Sequence, residues 1–158
     1  MATPFIAIEE HWTTPQLTAA LESLPEGSRD DSLAFNQMGD NLPRLEDIGE
    51  ARIAAMDEQG IGLQVISLAP PATGPLAPAD AVPLARDIND RAAQAVRLHP
   101  TRLRALSTLP MAEPDAAAAE LERAAGLGFV GTMVYGRTGE TALDDPRYDD
   151  LFATAASL

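Results

Sequence analysis

The chain has 158 residues and a mass of 16.7 kDa, with 46% hydrophobic against 22% charged residues, enough for one domain with a sizeable core. Its 24 acidic and 11 basic residues give a formal charge of -13, which repels phosphate backbones and anionic membrane surfaces and argues against a nucleic-acid or membrane partner. With no cysteine, disulfides and thiolate metal sites are excluded, so any metal must rely on carboxylate oxygen and on imidazole, of which the chain has 2. No basic segment with an apolar stretch of signal-peptide length opens the chain, and no run approaches the roughly 18 apolar residues of a membrane span, so a cytoplasmic location is expected.

The first predicted element is the strand Phe5-Ile6-Ala7-Ile8-Glu9-Glu10-His11-Trp12. Alternate side chains of a strand share a face, so Glu9 and His11 project the same way from adjacent pleats, a spacing that suits two ligands for one metal ion. Polar residues where a strand runs out into solvent would look the same. Residues 15–24 read as a short helix behind Pro15, and residues 25–43 as a long polar loop or insertion, a candidate lid or partner contact. Asp47 followed by Glu50 resembles a capping box; Ile48, Ala51, Ala55 and Met56 then recur at helical spacing until Gly60 supplies a left-handed stop.

Residues 63–68 are β-branched and apolar, bounded by Gly62 and by Ala69-Pro70-Pro71, as a buried strand should be. Ala81, Leu84, Ala85, Ile88, Ala92, Ala95 and Val96 trace one face of a long helix that His99-Pro100 ends. Residues 102–109 give a third strand, Pro114 opens an alanine-rich helix closed by Gly126 and Gly128, and residues 129–135 form a fourth strand. The last segment opens at Asp145-Pro146, puts Tyr148, Leu151, Phe152 and Ala155 on one helical face, and reaches Leu158 without a cap. This alternation predicts an α/β fold with a parallel sheet and right-handed crossovers, either doubly wound or part of a barrel. No glycine-rich phosphate fingerprint follows the first strand, which favours a (β/α) barrel over a dinucleotide-binding fold.

Six ordered segments carry a family likeness: residues 7–11 (Ala7-Ile8-Glu9-Glu10-His11), residues 52–61 from Arg52 to Ile61, residues 66–70, Ala85-Arg86-Asp87-Ile88-Asn89-Asp90, residues 100–103, and Leu127-Gly128-Phe129-Val130-Gly131. Together they resemble the amidohydrolase-related metal-dependent decarboxylases, which include the γ-resorcylate, 2,3-dihydroxybenzoate and aminocarboxymuconate-semialdehyde decarboxylases. The likeness is strongest to the resorcylate and dihydroxybenzoate members and leaves out only residues 25–43. It implies about four β/α units of a (β/α)8 barrel, with the site at the C-terminal ends of the strands. It also implies that Glu9 and His11 are metal ligands; Glu10, left on the opposite, helix-facing side, is expected to be structural and to pair with Arg52.

What the resemblance implies for chemistry is a non-oxidative decarboxylation of a small hydroxylated aromatic carboxylic acid, with zinc or manganese and no organic cofactor. The later histidine and the aspartate of the family's site have no counterpart here, so the chain reads as an N-terminal half and its proton donor is expected beyond Leu158. Tyr135, at the end of the fourth strand, is expected to bind substrate. Trp12, beside the ligands, is a candidate apolar wall, and Pro70 lies in a loop facing the same rim. His99, next to Pro100, reads as an ordinary helix cap. Two other readings use the same residues: a metal-dependent hydrolase, and a non-catalytic half-barrel that associates with a second copy or another subunit, since four parallel strands leave two open edges. A homo-oligomer is the expected assembly.

Overall fold

A computed structural model describes residues 5–158. Four parallel strands form one sheet in sequence order: β1 (Phe5–Trp12), β2 (Ile61–Leu68), β3 (Leu103–Ser107) and β4 (Gly131–Thr132). The helices are α1 (Pro15–Glu22), α2 (Ser32–Asn36), α3 (Asn41–Glu46), α4 (Glu50–Gln59), α5 (Pro78–Leu98), α6 (Pro114–Gly126) and α7 (Asp149–Ser157). A small antiparallel ribbon of β5 (Arg137–Thr138) and β6 (Thr141–Ala142) follows β4. The four-unit parallel architecture agrees with the α/β reading of the sequence.

The register shows which side of the sheet each residue serves, because directly paired residues of parallel strands share a face. Gln64 pairs with Leu103 and Ile66 with Ala105; these positions lie against the helices, where Ile66 and Leu103 are completely buried. Trp12, Leu17, Leu21, Met56, Ala81, Ile88 and Ala92 fill the same core, so α1, α4 and α5 cover one side of the sheet. The other side carries the alternate residues Val65, Ser67, Arg104 and Leu106. Edge strand β1 leaves Ile6 66% and Ile8 69% exposed. Gly131 of β4 lies close to β3: a Cβ there would sit 3.1 Å from the Leu106 side chain, which would have to shift to admit it.

Several local readings change. Residues 25–43 are largely helical, with a 3-10 turn at Glu26–Ser28, helix α2 and the start of α3, because Asp, Asn and Ser residues there close short local turns that hydrophobic periodicity does not register. Asp47 does not cap α4: Gly49 holds the N-cap position, and the Asp47 carboxylate accepts from the Gly49 N–H at 2.7 Å two residues on. Gly60 does stop α4 in the left-handed conformation, at φ 71°. The fourth strand contracts to Gly131–Thr132.

Candidate metal centre

Strand β1 is not a regular pleat. Between Ala7, paired with Gln64, and Glu10, paired with Ile66, β1 holds one residue more than β2, so Ile8 and Glu9 together oppose Val65. Glu9 takes up the irregularity at φ 62°, a conformation few side-chain-bearing residues adopt. Strand β1 regains its pleat immediately afterwards, with Glu10, His11 and Trp12 opposite Ile66, Ser67 and Leu68. By this register Glu9 and His11 belong to the side of the sheet away from the helices, whereas Glu10 and Trp12 belong to the helix side.

His11 is half-buried, and its Nδ1 shares a 3.1 Å hydrogen bond with the Oγ of fully buried Ser67, its partner across the ladder. The tautomer with its proton on Nδ1 donates to Ser67 and leaves the Nε2 lone pair for a cation, the arrangement that orients a ligating imidazole. Glu9 is exposed and, among the described residues, makes no hydrogen bond or ion pair. One anionic oxygen and one neutral nitrogen suit a divalent ion of borderline hardness but make an incomplete set. Among the described residues no group of three or more His, Cys, Asp or Glu side chains converges on one point.

Glu10 is held on the other side by a polar cluster. Gln64 Nε2 donates to Glu10 Oε2 at 2.8 Å, and Arg52 donates to Gln64 Oε1 at 3.3 Å, to the Asp47 carbonyl at 2.8 Å and to the His11 carbonyl at 2.9 Å. Burial draws the Arg52 guanidinium below its usual range, against the opposing pull of the Glu10 and Asp47 charges. The family-like Arg52 therefore ties α4 to the C-terminal end of β1, immediately beneath His11.

The substrate-facing candidates separate. Pro70 and Tyr135 line one cavity of about 780 Å³ at the C-terminal rim, closed by Arg29 and Asp30 from the insertion, by Leu109 and Met111 after β3, and by Met133 after β4. Tyr135 donates its hydroxyl to the Leu68 carbonyl at 3.3 Å; burial, then the neighbouring Asp30 charge, pushes its phenol up to about 12. The Asp30 carboxyl is held low by hydrogen bonding to Ser32, whose backbone N–H donates to it at 2.8 Å; the Ser32 hydroxyl donates to the Pro70 carbonyl at 3.2 Å and so stitches the insertion to the rim. Trp12 is elsewhere: 1% exposed in the helix-side core, it borders neither this cavity nor the pocket that His11 touches beside α3 and α4. His99 caps α5 at the opposite end of the sheet, with Nε2 3.8 Å from Glu50.

Sequence reasoning gave no role to two further groups. Ser67 could have been found from its phase, since it alternates with the core positions Ile66 and Leu68 and faces His11. Asn89 is 1% exposed; its Oδ1 accepts from the Thr108 N–H at 2.9 Å, and its Nδ2 donates to the Thr108 carbonyl at 2.9 Å and to Glu120 at 2.7 Å. Glu120, itself buried, takes both arms of Arg123, which reaches Asp90 as well. This cluster fixes the backbone directly after β3, where the rim cavity begins.

The Amidohydrolase family model matches residues 10–158. The chain belongs to the Amidohydrolase family. Among curated members, the γ-resorcylate decarboxylase of Polaromonas sp. is 37% identical over 151 residues, a match covering 92% of this chain and 43% of that relative. Among solved structures, the 5-carboxyvanillate decarboxylase of Novosphingobium aromaticivorans, complexed with manganese and 4-hydroxy-3-methoxy-5-nitrobenzoic acid, superposes with a TM-score of 0.88 at 30% identity. That match covers 96% of this chain and 47% of the neighbour. The Polaromonas dihydroxybenzoic acid decarboxylase with bound manganese and 2-nitroresorcinol gives a TM-score of 0.76 at 34% identity, over 99% and 47% of the two chains. This amidohydrolase chain thus spans about half the length of the relatives it matches, and its sheet is about half of a (β/α)8 barrel. Among the described residues, no helix is long and apolar enough to cross a membrane.

Proposed function

We propose that the chain supplies the metal-gripping first strand and part of the rim of a metal-dependent, non-oxidative decarboxylase acting on hydroxylated aromatic carboxylic acids. The observation that carries this reading is the pairing of Glu9 and His11 on the uncovered side of β1 near its C-terminal end, with Ser67 orienting the imidazole. Manganese is the favoured ion, given its presence in the similar decarboxylases. When bound, a divalent cation supplies the positive charge that draws a substrate carboxylate and its neighbouring hydroxyl into one orientation.

The work of this chain's own residues is positional. Glu9 offers an anionic oxygen and His11 a neutral nitrogen, while the β1 bulge sets how far the carboxylate leans over the mouth of the sheet. Tyr135 commits its proton to the Leu68 carbonyl and stays neutral at physiological pH, so it accepts a hydrogen bond from a substrate hydroxyl rather than transferring a proton. The proton that replaces carbon dioxide on the ring is assigned to an acid of the barrel's other half, as the family resemblance implies.

The test is a chimaera joining this chain to the C-terminal half of the Polaromonas γ-resorcylate decarboxylase. Incubated with manganese and 2,6-dihydroxybenzoate, it should release carbon dioxide, and His11→Ala should lower the rate by about 100-fold or more, beyond the loss seen on removing an outer-shell partner. A folded, manganese-loaded chimaera that releases no carbon dioxide from any hydroxylated benzoate would contradict the proposal.

A further inference from the structure

We propose that Asp30, on the insertion, is a specificity-determining residue: with Tyr135 it forms a pair of acceptors in the rim cavity that takes a ring hydroxyl and turns away a second ring carboxylate. This rests on the reading proposed above, in which the substrate ring enters the cavity, and names the ring substituents that the site prefers. One short segment after β2 holds both groups. The Tyr135 hydroxyl donates to the Leu68 carbonyl at 3.3 Å, and the insertion is tied two residues further on, where the Ser32 hydroxyl donates to the Pro70 carbonyl at 3.2 Å. Asp30 is fixed to that tie, because its Oδ1 accepts from the Ser32 N–H at 2.8 Å, and the next residue, Leu33, packs against the core under the helices. Asp30 and Tyr135 both border the cavity of about 780 Å³.

Neither group has a proton to give a ligand. Tyr135 has committed its only one to Leu68 and offers lone pairs to the cavity. Ionised Asp30 has none, and its hydrogen bonding to Ser32 keeps it ionised. The side chains of Leu109, Met111, Met133 and Val134 in the same wall are apolar and supply no donor. A ring hydroxyl brings the proton these oxygens lack, and a bond to a charged acceptor is about twice as strong as one between neutral groups. A carboxylate at the same ring position brings a second negative charge and, at neutral pH, no proton.

The other charges round the cavity do not reverse this preference. Arg29, Arg137 and Glu140 are exposed at its border, where solvent and salt screen them, and Arg29 Nε already donates to the Leu24 carbonyl at 2.8 Å. Asp30 is exposed as well, but its charge is the one that bears on the half-buried Tyr135 phenol. A substituent beside that phenol therefore meets an anion.

The experiment titrates the chain, without metal or turnover, with resorcinol and with isophthalate, rings that carry two hydroxyls or two carboxylates at the same positions. The chain has 2 tyrosines, and Tyr148 lies in a separate core cluster. The ring proton resonances of Tyr135, assigned by their loss in Tyr135→Phe, thus report the cavity, and those of Tyr148 serve as the control. Resorcinol should shift the Tyr135 resonances and bind about ten times more tightly than isophthalate. Asp30→Asn keeps an oxygen for the Ser32 N–H but loses the charge, and should narrow the preference by most of that roughly tenfold margin. Glu140→Gln removes the same charge from the same border and should leave the preference within about twofold. Isophthalate binding the parent as tightly as resorcinol, Glu140→Gln narrowing the preference as much as Asp30→Asn, or neither ring moving the Tyr135 resonances would each overturn the role of Asp30. A manganese-loaded chimaera that releases carbon dioxide, beside a chain that lacks the preference, would sink this role and spare the proposed chemistry; a chain that shows the preference, beside a chimaera that releases none, would do the reverse.

Discussion

Burial, more than any charged neighbour, governs Tyr135. The phenol sits in the rim cavity with its hydroxyl turned to the Leu68 carbonyl, and removal from water raises it to about 12 from an ordinary value of 10.0. The folded form therefore holds its proton through a pH interval in which the unfolded chain has lost it. The stability contributed by this group is present below pH 10.0 and is lost as pH rises toward about 12. An ultraviolet titration of the parent against Tyr135→Phe should show one tyrosinate appearing only near pH 12, and the variant should lose the corresponding alkaline decline in stability. Ionisation of that tyrosine near 10 would place the ring in water and remove it from the cavity wall. Of the candidate ligands, the side of the sheet that His11 takes could be read from the sequence, because the pleat is regular from Glu10 onward, whereas Glu9 sits in the bulge at φ 62°, where i, i+2 spacing does not by itself set the face. Trp12 was ambiguous for a reason specific to strands: its neighbour His11 faces the open side, and one step of the pleat turns an aromatic ring from pocket wall into core.

At the scale of elements, strands and helices with strong periodicity could be read directly. The α5 face of Ala81, Ala85, Ile88, Ala92 and Ala95 is buried as its spacing requires, and Gly60 ends α4 where its backbone freedom is needed. The bulge at Ile8 and Glu9 could not be read, because it is set by pairing with β2 and not by any glycine within β1. The helices within residues 25–43 were hidden for the opposite reason: they are short, bury no side chain completely and so carry no apolar stripe. The Asn89 cluster was also invisible, since an asparagine in a helix usually marks solvent or a cap. In this fold it bridges α5, α6 and the first residue after β3. Asn89→Ala leaves the Thr108 N–H and carbonyl without partners and strips one bond from buried Glu120, and should cost about 2–4 kcal/mol in denaturant unfolding. A loss within the roughly 0.5 kcal/mol typical of surface changes would show that the cluster does not hold the rim.

For the molecule as a whole, the parallel sheet and its helix layer follow from the alternation of strands with helices, whereas the family was carried by the six ordered segments, and the family match runs from residue 10 to residue 158. One side of the sheet is a finished core and the other an open face bearing Glu9, His11 and the apolar edge of β1. Among the described residues fewer than three His, Cys, Asp or Glu side chains converge, so the proposed centre would need further donors beyond Glu9 and His11. The most direct test of the central claim, that Glu9 and His11 grip a divalent cation in the completed barrel, is the manganese content of the chimaera after dialysis. Close to one manganese per barrel is expected in the parent and almost none in the Glu9→Ala, His11→Ala double variant. A double variant that folds and retains its full complement of manganese would contradict it.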